Sequence, residues 1–180
     1  MDESIDIDFY EYEGYGYHGH IREVIDETLE DNEFNKSTKL DNFLGKGIYF
    51  FEEDLQLTIR WCEKARNYDD WGIIKAFISS DKAIDLNKSA HFHAIENLFK
   101  KIIRKYENID GDKYIPRAKL FDILHEIKSF DMMRGTKRVP YGDEAKKLPG
   151  RIPFYHVQVI LCVRNPDCIE ILEEVKIDEH

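Results

Sequence analysis

Apolar and polar residues alternate from Ile5 through Asp6, Ile7, Asp8 and Phe9, which predicts a half-exposed strand over 5–12. The period then changes. Ile21, Val24, Ile25 and Leu29 recur at three- and four-residue spacing, the stripe of an amphipathic helix. A polar stretch over 31–42 reads as loop. A short apolar run over 47–51 predicts a strand, and Asp54 stands where it can cap a following helix that carries Leu55, Ile59 and Cys62. A strong strand is expected over 71–79, with a short edge at 83–86. Phe92, Ile95, Phe99, Ile102 and Ile103 mark a long helix over 89–106, and Pro116 separates it from a second helix over 117–127. The segment 134–151, rich in Gly, Pro, Lys and Arg, reads as loop. Two strands close the chain at 154–163 and 169–177, around the turn Arg164-Asn165-Pro166-Asp167. Strands and helices come in irregular order, so the expectation is one α+β domain over 1–180 rather than a regularly alternating parallel sheet.

Composition narrows the class. The chain has 180 residues, 42% of them hydrophobic and 13% aromatic, enough for a proper core. No run approaches the ~20 apolar residues of a membrane span, and the acidic start lacks the basic, then apolar, character of a signal peptide. Cys62, Cys162 and Cys168 are few, odd in number and without CxxC spacing, which predicts a reducing compartment and a cytoplasmic protein. The net charge of -10 argues against indiscriminate nucleic-acid binding. The charge is uneven, however: residues 1–35 hold twelve acids against Arg22, whereas 99–152 hold fourteen Lys/Arg against eight acids. Such a basic stretch is either a solvated helical face or a surface turned to an anionic ligand.

Several motifs carry little. Gly14-Tyr15-Gly16-Tyr17-His18-Gly19 fits G-x-G-x-x-G, but the acid-rich strand before it is unlike the buried strand of a dinucleotide-binding turn. His91 and His93, two residues apart on a helix, do not share a face with which to hold a metal, and no metal site is expected. Two places carry more. Gly45-Lys46-Gly47-Ile48-Tyr49-Phe50 sets a tyrosine on a strand behind two glycines, where backbone and ligand can approach closely. His18-Gly19 pairs a hydrogen-bonding ring with an unobstructed backbone, and the histidine is expected to donate to a ribose hydroxyl.

Taken together, Tyr17-His18-Gly19 and the hexapeptide about thirty residues later resemble the catalytic domain of the poly(ADP-ribose) polymerases and, more broadly, the diphtheria-toxin-like ADP-ribosyltransferases. Trp61 matches the second aromatic of that family, on the helix after the tyrosine strand. The run Gly72 to Ser79 followed by Ala83-Ile84-Asp85-Leu86 resembles its next strand and edge. Tyr155-x-x-Gln158 falls where the family carries a glutamate. The resemblance covers about half the chain in four ordered pieces, with 87–150 as a helical insertion. It implies split mixed and antiparallel sheets flanked by helices.

It also implies a function: an NAD-dependent mono-ADP-ribosyltransferase, with NAD+ as substrate and no metal. His18, Tyr49 and Gln158 would be catalytic. Gly19, Gly47, Tyr49, His18 and Trp61 would bind NAD, with Tyr49 stacking on the nicotinamide ring and Gly19 meeting its carboxamide. Gln158 lacks the charge of the family's glutamate, which favours single transfer over polymer synthesis. Glu52, Glu53 and Asp54 are nearby acids of unassigned role. Arg134, Lys137 and Arg138, with Lys146 and Lys147, would contact an acceptor's phosphates, the acceptor being RNA, DNA or protein. A small transferase of this kind suits a bacterial toxin or anti-phage effector held by a neutralising antitoxin, with no membrane partner. Alternatives within the same fold are a non-catalytic NAD- or nucleotide-binding module and an RNA 2'-phosphotransferase.

Overall fold

The computed structural model describes residues 5–110, 115–140 and 155–177, with side chains described over 5–105, 115–138 and 157–177. Six strands and four α-helices make an α+β fold among these residues: β1 (Tyr10–Ile21), α1 (Arg22–Asp31), β2 (Ile48–Glu52), α2 (Leu55–Arg60), β3 (Trp71–Asp85), α3 (Ser89–Asp110), α4 (Arg117–Ile127), β4 (Met132–Pro140), β5 (Tyr155–Val163) and β6 (Ile169–Glu174). No described helix is long and apolar enough to cross a membrane.

The sheet is mixed, in the order β1-β2-β5-β4-β3-β6, and β1 also pairs with β3. Five strands therefore form a ring, β1-β2-β5-β4-β3 and back to β1, with β6 on the flank of β3. All pairings are antiparallel except β3 with β4, which run parallel over 83–85 and 132–134.

Alternation along the strands sends residues to two cores. Ile48, Phe50, Ala76, Ile78, Met132, Leu161 and Val163 pack inside the ring. Leu44, Ile84, Met133 and Cys162, on the other face, meet Ile95, Leu98 and Ile102 of α3 and Phe121 and Leu124 of α4. Phe50 and Leu124 are almost completely buried; full burial of such a side chain contributes about 1.5–3 kcal/mol.

Three expectations are corrected. Residues 5–9 form no strand, and β1 instead begins at Tyr10 and runs through the glycine-tyrosine-histidine motif. The two pieces expected over 71–86 are one strand of 15 residues. Residues 134–140 of the expected loop over 134–151 are strand: β4 lies in the stretch read as a helical insertion and joins the ring between β5 and β3. Lys146 and Lys147 lie outside the described residues.

Candidate functional site

Strands β1 and β2 pair over only two positions, Gly16 with Glu52 and Tyr17 with Phe51. The Glu53 N–H donates to the Tyr15 carbonyl at 3.1 Å, continuing this ladder by one step. Because the peptide groups of a strand alternate in direction, Tyr15, Tyr17 and Gly19 point theirs at β2, while Gly16, His18 and His20 serve β3. In the same register Gly19 would face Tyr49, but the ladder has ended. The Tyr49 carbonyl is engaged by the His18 ring, whose Nδ1–H donates to it at 2.8 Å. Gly19 thus lies beyond the last β1–β2 pair, with its N–H and C=O directed toward the gap between the two strands.

The other side of Gly19 is closed. A β-carbon there would stand 2.5 Å from Cys62 Sγ and 2.9 Å from Thr58 Cγ2, so only glycine allows α2 to lie this close. Asp54 caps that helix, its Oδ1 accepting from the Leu57 N–H at 2.8 Å, as the sequence predicts. The helix widens into a π-helical turn, Trp61–Ala65, in which the Arg66 N–H reaches the Trp61 carbonyl at 2.9 Å. Trp61 meets Phe51 edge-on, ring centroids 5.8 Å apart, and the Arg66 guanidinium lies 4.7 Å from its own ring centre.

Carbonyls only accept, so Nδ1 of His18 carries the proton and Nε2 of the neutral ring is an acceptor. This reverses the expected direction: with its one N–H spent on Tyr49, the neutral His18 ring can only accept from a hydroxyl. Desolvation lowers its pKa to about 4, against an opposing contribution from the Tyr49 carbonyl, with His20 adding to the lowering. The ring packs against Phe34 at 5.2 Å and Phe50 at 5.7 Å, and stacks on His20, which in turn stacks on Tyr68.

Tyr49 points to the opposite face, with Phe51. Its hydroxyl donates to the Gly45 carbonyl at 2.6 Å and accepts from the Leu44 N–H at 2.9 Å, and burial raises its pKa. This pins the ring to the loop whose Gly45 has φ +85, a conformation that favours glycine. Gly47 lies against Cys162, where a β-carbon would stand 2.5 Å from Sγ. Tyr49 pairs with Cys162 and Phe51 with Ile160, so Gln158 continues the face of Tyr49 and Phe51 along β5. Tyr49, Trp61 and Gln158 accordingly belong to one face of the sheet. The His18 ring lies on the other, and the Gly19 peptide sits at the edge between them.

Of the basic residues, Lys137 and Arg138 are exposed, and Lys137 is the cross-strand partner of Gln158. Arg134 is differently placed. Its guanidinium grips Glu52 at 2.6–3.0 Å and reaches Asp85 at 3.2 Å, while the Tyr12 hydroxyl donates to Glu52 at 2.8 Å. These bonds raise the Arg134 pKa, the Glu52 hydrogen bonds foremost. Its cation is therefore committed within the ring rather than turned to a phosphate. His91 ties the end of β3 to the N-terminal segment: Nδ1 accepts from the Asp85 N–H and Nε2–H donates to the Asp8 carbonyl.

Sequence reasoning missed Thr58 and Phe34. Thr58 lies one helical turn before Trp61 and could have been found from that spacing. Phe34 sits in a polar loop and offers no pattern.

No family model matches this sequence. A similar curated protein is the uncharacterized protein MJ0359 of Methanocaldococcus jannaschii, 26% identical over 186 residues that cover 87% of this chain and 85% of that protein.

Proposed function

We propose that this chain is an NAD-dependent mono-ADP-ribosyltransferase with the split-sheet fold of the diphtheria-toxin-like class. The observation that carries this reading is the Gly19 peptide, whose N–H and C=O face the β1–β2 gap beyond the last ladder pair. An extended peptide edge offers one donor and one acceptor side by side. A primary carboxamide is its complement, and nicotinamide bears one. Docked there, the nicotinamide ring lies near the aromatic wall of Trp61, Phe51 and Tyr49.

The nearby residues suit the rest of the substrate. His18, by donating to the Tyr49 carbonyl, keeps the strands apart beside the Gly19 peptide. The Gln158 amide, on the face of Tyr49 and Trp61, hydrogen-bonds a ribose hydroxyl without contributing charge. Cleavage of the glycosidic bond sends its electron pair to the nicotinamide nitrogen, which leaves neutral, while positive charge develops on the ribose. Positioning of ring, ribose and acceptor supplies much of the acceleration in such a reaction. Lys137 and Arg138, exposed beside Gln158, suit an acceptor carrying phosphates.

The test is incubation with NAD labelled in its ADP-ribose half, together with protein, DNA and RNA from cells, followed by separation of the fractions and assay of free nicotinamide. Label in one fraction with matching nicotinamide release is the expected result. Folded protein that neither releases nicotinamide nor transfers label overturns the transferase. Tight NAD binding without release would assign a non-catalytic binding module instead.

A further inference from the structure

We infer that Arg66, Lys39 and the His20 imidazole form a phosphate-binding subsite beside the Gly19 peptide, and that it takes the diphosphate of the dinucleotide. The inference rests on the transferase reading above.

The His20 ring is held in one tautomer. Its Nδ1 accepts from the Ile21 N–H at 2.9 Å, so the proton of the neutral ring is on Nε2. The ring stacks between His18, at 6.1 Å, and Tyr68, at 5.6 Å. His20 therefore offers one donor on a clamped ring, next in the chain to Gly19. Burial lowers its pKa foremost, and the Arg66 and Lys39 charges lower it further, so the ring donates while neutral.

The chain returning from α2 places Arg66. The Arg66 N–H closes the π-helical turn on the Trp61 carbonyl at 2.9 Å, and the Tyr68 N–H bonds the Cys62 carbonyl at 3.0 Å. Asn67 between them has φ 52, a left-handed conformation that asparagine tolerates better than most residues. This turn lays Tyr68 on His20 and sets the Arg66 guanidinium 4.7 Å from the Trp61 ring centre. Arg66 thus touches the aromatic wall on one face of the sheet and acts on His20 on the other, spanning the edge where Gly19 sits. Lys39 comes from the loop before β2 and, like Arg66, is exposed.

The sign of the site follows. The chain carries a net charge of -10, yet the charged side chains that act on His20 are both cations. A neutral N–H donor beside two exposed cations selects an anion. The Arg66 fork can grip two oxygens of one phosphate and has no ion pair among the described residues. The dinucleotide supplies that anion. With its carboxamide at Gly19 and its nicotinamide ring against Trp61, the groups that follow along the molecule are a ribose and the diphosphate, and Arg66 is stacked on the same Trp61.

The experiment measures, by calorimetry, the affinities of wild type, Arg66→Ala, Arg66→Lys and Lys39→Ala for NAD, for ADP-ribose (the diphosphate without nicotinamide) and for nicotinamide (the reverse), with nicotinamide release from NAD assayed alongside. Arg66→Ala and Lys39→Ala should bind NAD and ADP-ribose ~10-fold more weakly, the loss of a charged hydrogen bond, and nicotinamide as wild type does. Arg66→Lys should fall between, keeping charge but not the fork. Added salt should weaken NAD and ADP-ribose binding in wild type more than in Arg66→Ala. Equal losses for all three ligands would mean that Arg66 only packs Trp61, and NAD and ADP-ribose affinities within about twofold of wild type in Arg66→Ala would mean that it meets no phosphate; either overturns the inference and leaves the transferase standing. Arg66-dependent ADP-ribose binding without nicotinamide release from NAD overturns the transferase and leaves the phosphate subsite. Folded wild type that binds neither NAD nor ADP-ribose overturns both.

Discussion

Arg134 offers the sharpest test of how the ring of strands is held. From β4 it joins Glu52 of β2 and Asp85 of β3, and Tyr12 of β1 completes the group through Glu52. Glu52 and Asp85 side chains are only 15% and 9% exposed. Arg134→Met removes the cation and leaves both carboxylates without it in a largely water-excluded place. Breaking a fully buried pair this way costs about 3–5 kcal/mol. Arg134 keeps 26% of its side-chain exposure, so water screens part of the interaction and about 2–3 kcal/mol is the better figure. For a chain of this size each kcal/mol lowers Tm by about 2–4 °C, giving a fall of ~4–12 °C. Urea unfolding followed by far-UV circular dichroism checks this, with the stability change read from the midpoint at constant slope. Arg134→Lys keeps the charge but loses the two-pronged grip on Glu52, and should fall between. In a cycle with Glu52→Gln, the two losses should be non-additive by ~1 kcal/mol or more. A loss below ~0.5 kcal/mol, as for an exposed surface pair, would refute the reasoning.

Other expectations follow from the same geometry. Gly19→Ala forces a β-carbon onto Cys62 and Thr58, and should cost about 1–3 kcal/mol by calorimetric melting; Cys62→Ala in the same chain should recover part of it. The His18 pKa, lowered from 6.5 in the unfolded chain to about 4, means that the unfolded state binds the proton first. This contribution to stability is fully present above pH 6.5 and is lost as pH falls toward 4. His18→Gln should flatten the stability profile in that window, and an unchanged slope would count against a neutral, desolvated ring. Asp54→Ala removes the cap of α2 and should lower stability by ~1 kcal/mol in urea titrations.

Much of this architecture is written in local pattern, and the exceptions have physical causes. Helix α4 is legible to the residue because Pro116 precedes a clean apolar stripe. The β2–α2 junction is legible because Asp54 has one good use there. Strand β1 is obscured at Gly14 and Gly16, which carry no side chain on the face that turns into the ring. A β-carbon at Gly16 would meet Phe50 at 2.7 Å. Strand β4 is disguised because its inward position is Arg134, whose charge is neutralised by residues 82 and 49 positions away in sequence. Periodicity cannot see a partner that distant. The break assumed within β3 arose from Ser80, Asp81 and Lys82, where the Ser80 hydroxyl accepts from the Lys82 N–H within a continuous strand.

The candidate site divides in the same way. Residue types marked Gly19, Tyr49 and Trp61 as worth attention. The opened ladder depends on His18 taking the Tyr49 carbonyl, a contact across 31 positions that no local motif specifies. The separation of the His18 ring from Tyr49 and Trp61 by the sheet likewise needs the strand pairing.

The claim that the Gly19 peptide receives a carboxamide is tested most directly by amide NMR. With the backbone assigned, titration of the protein with nicotinamide, and separately with NAD, should move the Gly19 amide resonance most, with smaller shifts at Phe51 and Trp61. Nicotinic acid, which lacks the amide donor, should move it far less. Saturable binding of nicotinamide that leaves Gly19 unmoved, or no shift at millimolar nicotinamide or NAD, would contradict the account.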